Sequence, residues 1–206
     1  MDCAHDKGAP LRIGLDLFEA FPGDKRIYLQ WHYLEEGYEI ESIFIIYRIE
    51  DGKSKAIGAY SVYHYLYGFP MWGIFLDTTC SNGERYSYYL YASDHPVSYF
   101  SDTIYATSQQ GLPDPVPPSP ESLWVEQGDS SFTLKWISPQ GHDSLYYIYR
   151  KDSSSTRWYT VLYDPIKLSN PEYTLEYVSD TYFKIAVFVD GVLSLPSDSV
   201  EATLQK

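Results

Sequence analysis

Aromatic residues spaced two apart are the groups in this chain best equipped to do chemistry. In Val62-Tyr63-His64-Tyr65-Leu66-Tyr67, followed by Gly68-Phe69-Pro70-Met71-Trp72, a strand puts Tyr63, Tyr65 and Tyr67 on one face and Val62, His64 and Leu66 on the other. If the Val62 and Leu66 face is core, a ladder of tyrosines points outward. If the faces are inverted, the tyrosines are core, or they cover a neighbouring domain or the sheet surface. Tyrosine offers large contact area, little rotamer entropy to lose and a hydroxyl to satisfy, which is the chemistry of interface hot spots. The same rings can stack on sugars. Tyr63, Tyr65, Tyr67, Phe69 and Trp72 are therefore the candidate binding residues, for a protein ligand first and a glycan second.

Other chemistries find little purchase. His5, His32, His64, His95 and His142 lie far apart and no Cys-x-x-Cys or His-Glu-x-x-His spacing occurs, so no metal site is expected. Glu35, Glu36, Glu39 and Glu41 lack the ordered spacing of a calcium loop and read as a solvated acidic loop. No Gly-x-Ser-x-Gly, P-loop or Gly-x-Gly-x-x-Gly is present, nor a cysteine in a motif-like setting. A domain this small offers no deep cleft for shifting carboxyl pKa values. An enzyme is not expected, and neither is a cofactor.

The charge narrows the partners. With 28 Asp and Glu against 15 Lys and Arg, the formal charge is -13, which argues against a nucleic acid or an anionic membrane surface, since phosphate binding needs clustered cations. No apolar run approaches the roughly 20 residues that span a bilayer, and Met1-Asp2-Cys3-Ala4-His5-Asp6-Lys7 holds no apolar signal core; an exported form is expected to have lost its signal already. Cys3 and Cys80 are too few to staple the fold. Cys3, close to the start, is a candidate lipid attachment point of a processed bacterial lipoprotein, and through it the one candidate membrane contact. Asn82 and Asn170 are followed by Gly83-Glu84 and Pro171, so no N-glycosylation sequon exists, which leans toward a bacterial source.

These residues must be positioned by strands. Period-two alternation interrupted by Gly, Pro, Asp and Ser runs through both halves: Ile27-x-Leu29-x-Trp31, Ile43-x-Ile45-x-Tyr47 and Tyr86-x-Tyr88-x-Leu90-x-Ala92, then Phe132-x-Leu134-x-Trp136, Leu145-x-Tyr147-x-Tyr149 and Phe183-x-Ile185-x-Val187. No stretch holds a helical period, so the chain reads as all-β. The second set repeats the first. Trp31 recurs as Trp136, Tyr47-Arg48 as Tyr149-Arg150, and Ser101-Asp102 as Ser197-Asp198, at offsets of 105, 102 and 96, so two tandem domains differ in loop length. Between them Gly111-Leu112-Pro113-Asp114-Pro115-Val116-Pro117-Pro118-Ser119-Pro120 reads as a stiff proline-rich linker that holds the two apart.

Together, Trp31, Tyr47-Arg48 and Tyr86-x-Tyr88-x-Leu90-x-Ala92 in one half, with Trp136, Tyr149-Arg150 and Leu195-Pro196-Ser197 in the other, resemble the fibronectin type III family. The resemblance implies two tandem immunoglobulin-like β-sandwiches, one over residues 8–112 with an aromatic-rich insertion and one over 121–206, joined by a linker at 113–120. It places a tyrosine corner at Tyr86, a position that Thr181 takes in the second half. Tyr99-Phe100-Ser101 stands where a Pro-Ser pair is expected. No Arg-Gly-Asp and no Trp-Ser-x-Trp-Ser is present, so neither integrin nor cytokine recognition carries over. What remains is a non-enzymatic extracellular, cell-surface or periplasmic module for adhesion or protein binding. A structural spacer and a carbohydrate-binding accessory module stand beside it as alternatives.

Overall fold

The computed structural model describes residues 13–35, 40–64, 71–94, 97–128, 131–139, 144–154, 158–161, 165–176 and 181–203. The first half forms β1 (Ile13–Gly23), β2 (Arg26–Glu35), β3 (Ile40–Glu50), β4 (Lys53–His64), β5 (Met71–Asp77), β6 (Arg85–Asp94), β7 (Val97–Phe100) and β8 (Ile104–Thr107). The second forms β9 (Glu121–Gln127), β10 (Ser131–Ile137), β11 (Ser144–Asp152), β12 (Tyr159–Thr160), β13 (Ile166–Leu168), β14 (Glu172–Glu176), β15 (Thr181–Val189), β16 (Val192–Leu193) and β17 (Val200–Ala202). Among the described residues no helix is long and apolar enough to cross a membrane.

Each half is a sandwich of two antiparallel sheets. In the first, β1-β2-β5 faces β4-β3-β6, which β7 and β8 extend by pairing with β6. In the second, β14-β10-β9 faces β12-β11-β15, with β13 pairing β11 and β16 and β17 pairing β15. The alternation in β2, β6, β10 and β15 buries the expected side chains: Ile27, Leu29 and Trp31 meet Tyr88 and Leu90, while Phe132, Leu134 and Trp136 meet Phe183, Ile185 and Val187.

In β3 and β11 the core face is the opposite one from that expected. Phe44, Ile46 and Arg48 point inward in β3 and Tyr146 and Ile148 in β11, whereas Ile43, Ile45 and Tyr47, like Tyr147 and Tyr149, take the outer side. Both phases of these strands are apolar, so period two alone cannot say which one is the core.

The repeated Ser-Asp pairs have a shared structural job. The last strand of each sandwich is broken, and at the break a serine replaces the regular ladder. Ser101 donates its N–H to Leu90 O at 2.8 Å and accepts the Leu90 N–H on Oγ at 2.8 Å. Ser197 does the same with Ile185, at 2.8 and 3.1 Å. Each hydroxyl then donates to the carbonyl of the following aspartate, Asp102 or Asp198. The position of proline in Pro196-Ser197 is taken by Phe100, which is 67% exposed.

The two sandwiches are not held apart. The start of the linker is tied to the first of them by an Arg26–Asp114 ion pair of 2.9 Å and by the Gly111 N–H donating to Asp24. The outer face of β2 and β5 then lies against the outer face of β11, β15 and β16. Tyr147, Ala186 and Leu193 are buried there with Trp72, Ile74, Tyr149 and Phe188 packed around them. Asp190 and Gly191, at φ 49° and 86°, make the tight turn that a two-residue hairpin needs. This turn leaves both backbone groups of Leu193 facing away from β15. The other sandwich satisfies them: Gln30 Oε1 accepts the Leu193 N–H at 3.2 Å, and Tyr28 donates its hydroxyl to the Leu193 carbonyl. Gln30 Nε2 also donates to Gly191 O at 2.6 Å, and Trp72 Nε1 to the Tyr147 hydroxyl at 2.7 Å. Burial pushes the Tyr28 and Tyr149 hydroxyls well above the ordinary tyrosine range, with neighbouring tyrosines adding to it at Tyr149.

Candidate functional site

On the first sandwich, the outer face of β3, β6, β7 and β8 carries a continuous band of rings. Tyr47 pairs across the strands with Tyr89, Ile45 with Tyr91, and Tyr91 with Phe100, so these side chains stand on one surface. Tyr47 and Tyr89 stack at 4.9 Å with planes 9° apart. Tyr91 and Phe100 lie 5.0 Å apart, and Tyr89 and Phe100 6.0 Å. Ile43 at 41% exposure extends the band upward. Tyr105, capped by the Arg85 guanidinium 4.4 Å above its ring, extends it downward. Arg85 places a positive charge at the border of this band, in a chain of net charge -13.

What holds the band rigid lies directly behind it. Inward from Tyr47 and Tyr89, Arg48 donates to Asp77 at 2.8 Å and to Thr79 at 2.7 Å and pairs with Glu50. Tyr88 donates to the same Asp77 carboxylate at 2.9 Å. Burial works to raise the Asp77 carboxyl, but hydrogen bonds from Thr79 and Tyr88 and the Arg48 charge outweigh it and hold it below the usual carboxylate range. Asp77 ends β5 while Arg48 and Tyr88 sit on β3 and β6, so this network locks the two sheets together. Beside it the Ser81 N–H donates to the Tyr86 hydroxyl at 2.8 Å, the tie expected of a tyrosine corner. At the matching position Thr181 is fully buried.

The face owes its width to β4, which pairs with β3; the fourth strand of an immunoglobulin constant-type sandwich instead crosses to the first sheet. Pairing of β12 and β13 with β11 repeats the choice in the second half. The chain folds as two tandem fibronectin type III sandwiches. Among solved structures the chain is similar to a two-domain fibronectin type III segment of chicken tenascin, at 16% identity and a TM-score of 0.38, over 94% of this chain and 100% of that one. It is similar also to the FN1–FN3 domains of chicken CNTN1, at 14% identity and a TM-score of 0.36, over 97% of this chain and 69% of that one. The fibronectin type III domain of human fibronectin type III domain containing protein 3 aligns at 20% identity and a TM-score of 0.36, over 45% of this chain and 90% of that one. No family model and no curated protein matches the sequence.

Of the residues singled out from sequence, Trp72 is placed in the seam between the two fibronectin type III sandwiches, its ring 4.8 Å from His32 and 5.3 Å from Phe188. The backbone of Tyr63 lies in β4 opposite Glu41, next to the Ser61–Ile43 pair at the upper end of the exposed band. The side chain of Tyr63, together with Tyr65, Tyr67, Phe69 and Cys3, lies outside the described residues. Tyr47, Tyr89, Tyr91 and Phe100 were not among the sequence candidates. Their signal was the run Tyr88-Tyr89-Leu90-Tyr91, apolar on both phases, which marks a strand with something to meet on each side. Among the described residues no group of His, Cys, Asp and Glu could hold a metal ion.

Proposed function

We propose that the chain is a non-enzymatic binding module that engages a protein partner through the outer face of the first fibronectin type III sandwich. One observation carries this reading. The equivalent face of the second sandwich, centred on Tyr147, Ala186 and Phe188, is occupied by protein, while among the described residues nothing packs over its counterpart, where Tyr47, Tyr89 and Tyr91 are half-buried and Phe100 is 67% exposed. Exposed apolar patches of this extent are a mark of interaction sites. Tyr47 and Tyr89 each give one ring face to the other, which leaves less of the flat platform that a sugar needs and suits a protein surface better. Tyr63, Tyr65 and Tyr67, the candidates read from the sequence, are proposed as a second set of binding residues and are tested separately. The compartment that fits such a module is the cell surface, the extracellular space or the periplasm, with Cys3 as the proposed lipid attachment point.

The test is affinity capture from the native source with three folded forms: wild type, Tyr89→Ser/Phe100→Ser, and Tyr63→Ser/Tyr65→Ser/Tyr67→Ser. A partner held by the wild type and lost from the Tyr89/Phe100 variant is the expected result. Equal capture by that variant, with its fold intact, refutes the assignment.

A further inference from the structure

The second sandwich carries a cationic feature out of keeping with the chain. Lys151 on β11 and Lys184 on β15 belong to the same outer face, since Lys151 pairs with Tyr182 and Lys184 with Tyr149. Both ammonium groups converge on one indole: Lys151 Nζ lies 5.4 Å and Lys184 Nζ 4.5 Å from the Trp158 ring centroid, and Lys151 is also 4.8 Å from the Tyr182 ring. Among the described residues neither meets a carboxylate. Lys55 and Lys135 do, pairing with Glu50 and with Glu126 and Glu172. In a chain of net charge -13, what sets these two cations apart is that they share one ring, with Glu201, opposite Tyr182 on the same face, as the nearest acid in the strand register. Sharing that ring keeps them within about 10 Å, a Debye length at 0.1 M salt, so they repel each other.

We infer that Lys151 and Lys184, held against Trp158, form a subsite for carboxylates of an acidic protein segment. The cation–π contacts order two long side chains before any ligand arrives, which lowers the entropy lost on binding. A carboxylate beside either ammonium offsets their repulsion and gains charge-assisted hydrogen bonds. The site lies on the same sheet as the seam but beyond the Tyr147–Ala186 pair that the first sandwich covers, and Lys151, Lys184 and Trp158 all keep solvent access. Long polyanions such as nucleic acids are disfavoured because the acidic remainder of the chain repels them; a short acidic segment meets the local pair only. This subsite is separate from the aromatic face of the first sandwich, and either can fail without the other.

The experiment titrates the full chain with an oligoglutamate peptide and follows the Trp158 indole N–H by NMR, assigned with Trp158→Phe. A saturable shift is expected. It should weaken about tenfold or more in Lys151→Gln/Lys184→Gln, persist in Lys151→Arg/Lys184→Arg, and fade in the wild type as salt is raised. The inference is overturned by no shift, by an equal shift with oligoglutamine, by unchanged affinity in the glutamine variant, or by insensitivity to salt. Inorganic phosphate shifting the signal as strongly as the peptide overturns the assignment to carboxylates.

Discussion

Replacing Gln30 by leucine should loosen the seam while leaving each sandwich folded. Gln30 is fully buried, yet it points away from the core of its own sandwich, and its amide holds Leu193 N–H at 3.2 Å and Gly191 O at 2.6 Å. Leucine has similar volume, so packing survives and hydrogen bonding does not. Gly191 is exposed and its carbonyl can turn to water, as can the Glu19 carboxylate that Gln30 also meets. Leu193 is 1% exposed, and its N–H is left without an acceptor. A buried donor stranded in this way costs about 1–3 kcal/mol, which corresponds to a docking equilibrium weakened roughly 5- to 150-fold. A remote reporter avoids trivial effects at the mutated site: the Trp72 indole N–H is tied to the Tyr147 hydroxyl across the same seam. Hydrogen exchange at that proton should accelerate by this factor while the core amides of β2 and β6 keep their protection. Unchanged Trp72 exchange in a folded Gln30→Leu chain would falsify the account of the seam.

Three further outcomes can be checked. Asp77→Asn strips a carboxylate from Arg48, whose side chain is only 7% exposed. Breaking such a pair costs about 3–5 kcal/mol, toward the lower end here because Glu50 still meets Arg48; urea unfolding measures it. Because the native Asp77 pKa is lowered, its stabilisation is present above the unfolded value of about 3.9 and lost as pH falls through the native one. Acid unfolding of Asp77→Asn should therefore show a shallower pH dependence below pH ~4, and an unchanged acid limb counts against the network. Cys80 is a free, buried thiol whose pKa is pushed up to about 11, chiefly by burial; maleimide should label it only on unfolding, and rapid native labelling contradicts this packing. In Gly73→Ala a new Cβ sits 1.9 Å from the Trp31 ring, an overpacking expected to lower stability by about 1–3 kcal/mol or more, and a melting temperature equal to wild type rules out the close approach.

Much of this architecture could be read from the residues. Trp31 and Trp136, with alternating apolar neighbours, announced the central strands, and the recurring Ser-Asp pair marked corresponding points near the end of each repeat, though not that the last strand breaks there. Tyr86 could be placed because its hydroxyl has a fixed task at a turn. The faces of β3 and β11 were harder to read. Alternation locates a strand but is silent on direction when both phases are apolar, and in β11 the second apolar phase meets the other sandwich. The seam was hidden for a related reason: Tyr28, Gln30 and His32 are the polar phase of β2 and read as its solvent side. Only the register that brings Leu193 opposite Gln30 reveals their use, and that pairing joins positions 163 residues apart.

The capping of Leu193 by Tyr28 and Gln30 bears on how such proteins are built by shuffling. Tandem sandwiches are commonly pictured as interchangeable beads, each complete in itself. Here the second bead contains a hairpin, between β15 and β16, whose outward backbone groups are completed by side chains of the first. A recombination that gave it a different upstream neighbour would hand it a bare strand edge and an uncovered Tyr147, Ala186 and Phe188, the kind of surface that seeks out other strands. Inheritance should therefore favour the two as a couple, with Tyr28 and Gln30 travelling alongside Leu193 in descent although they belong to different repeats.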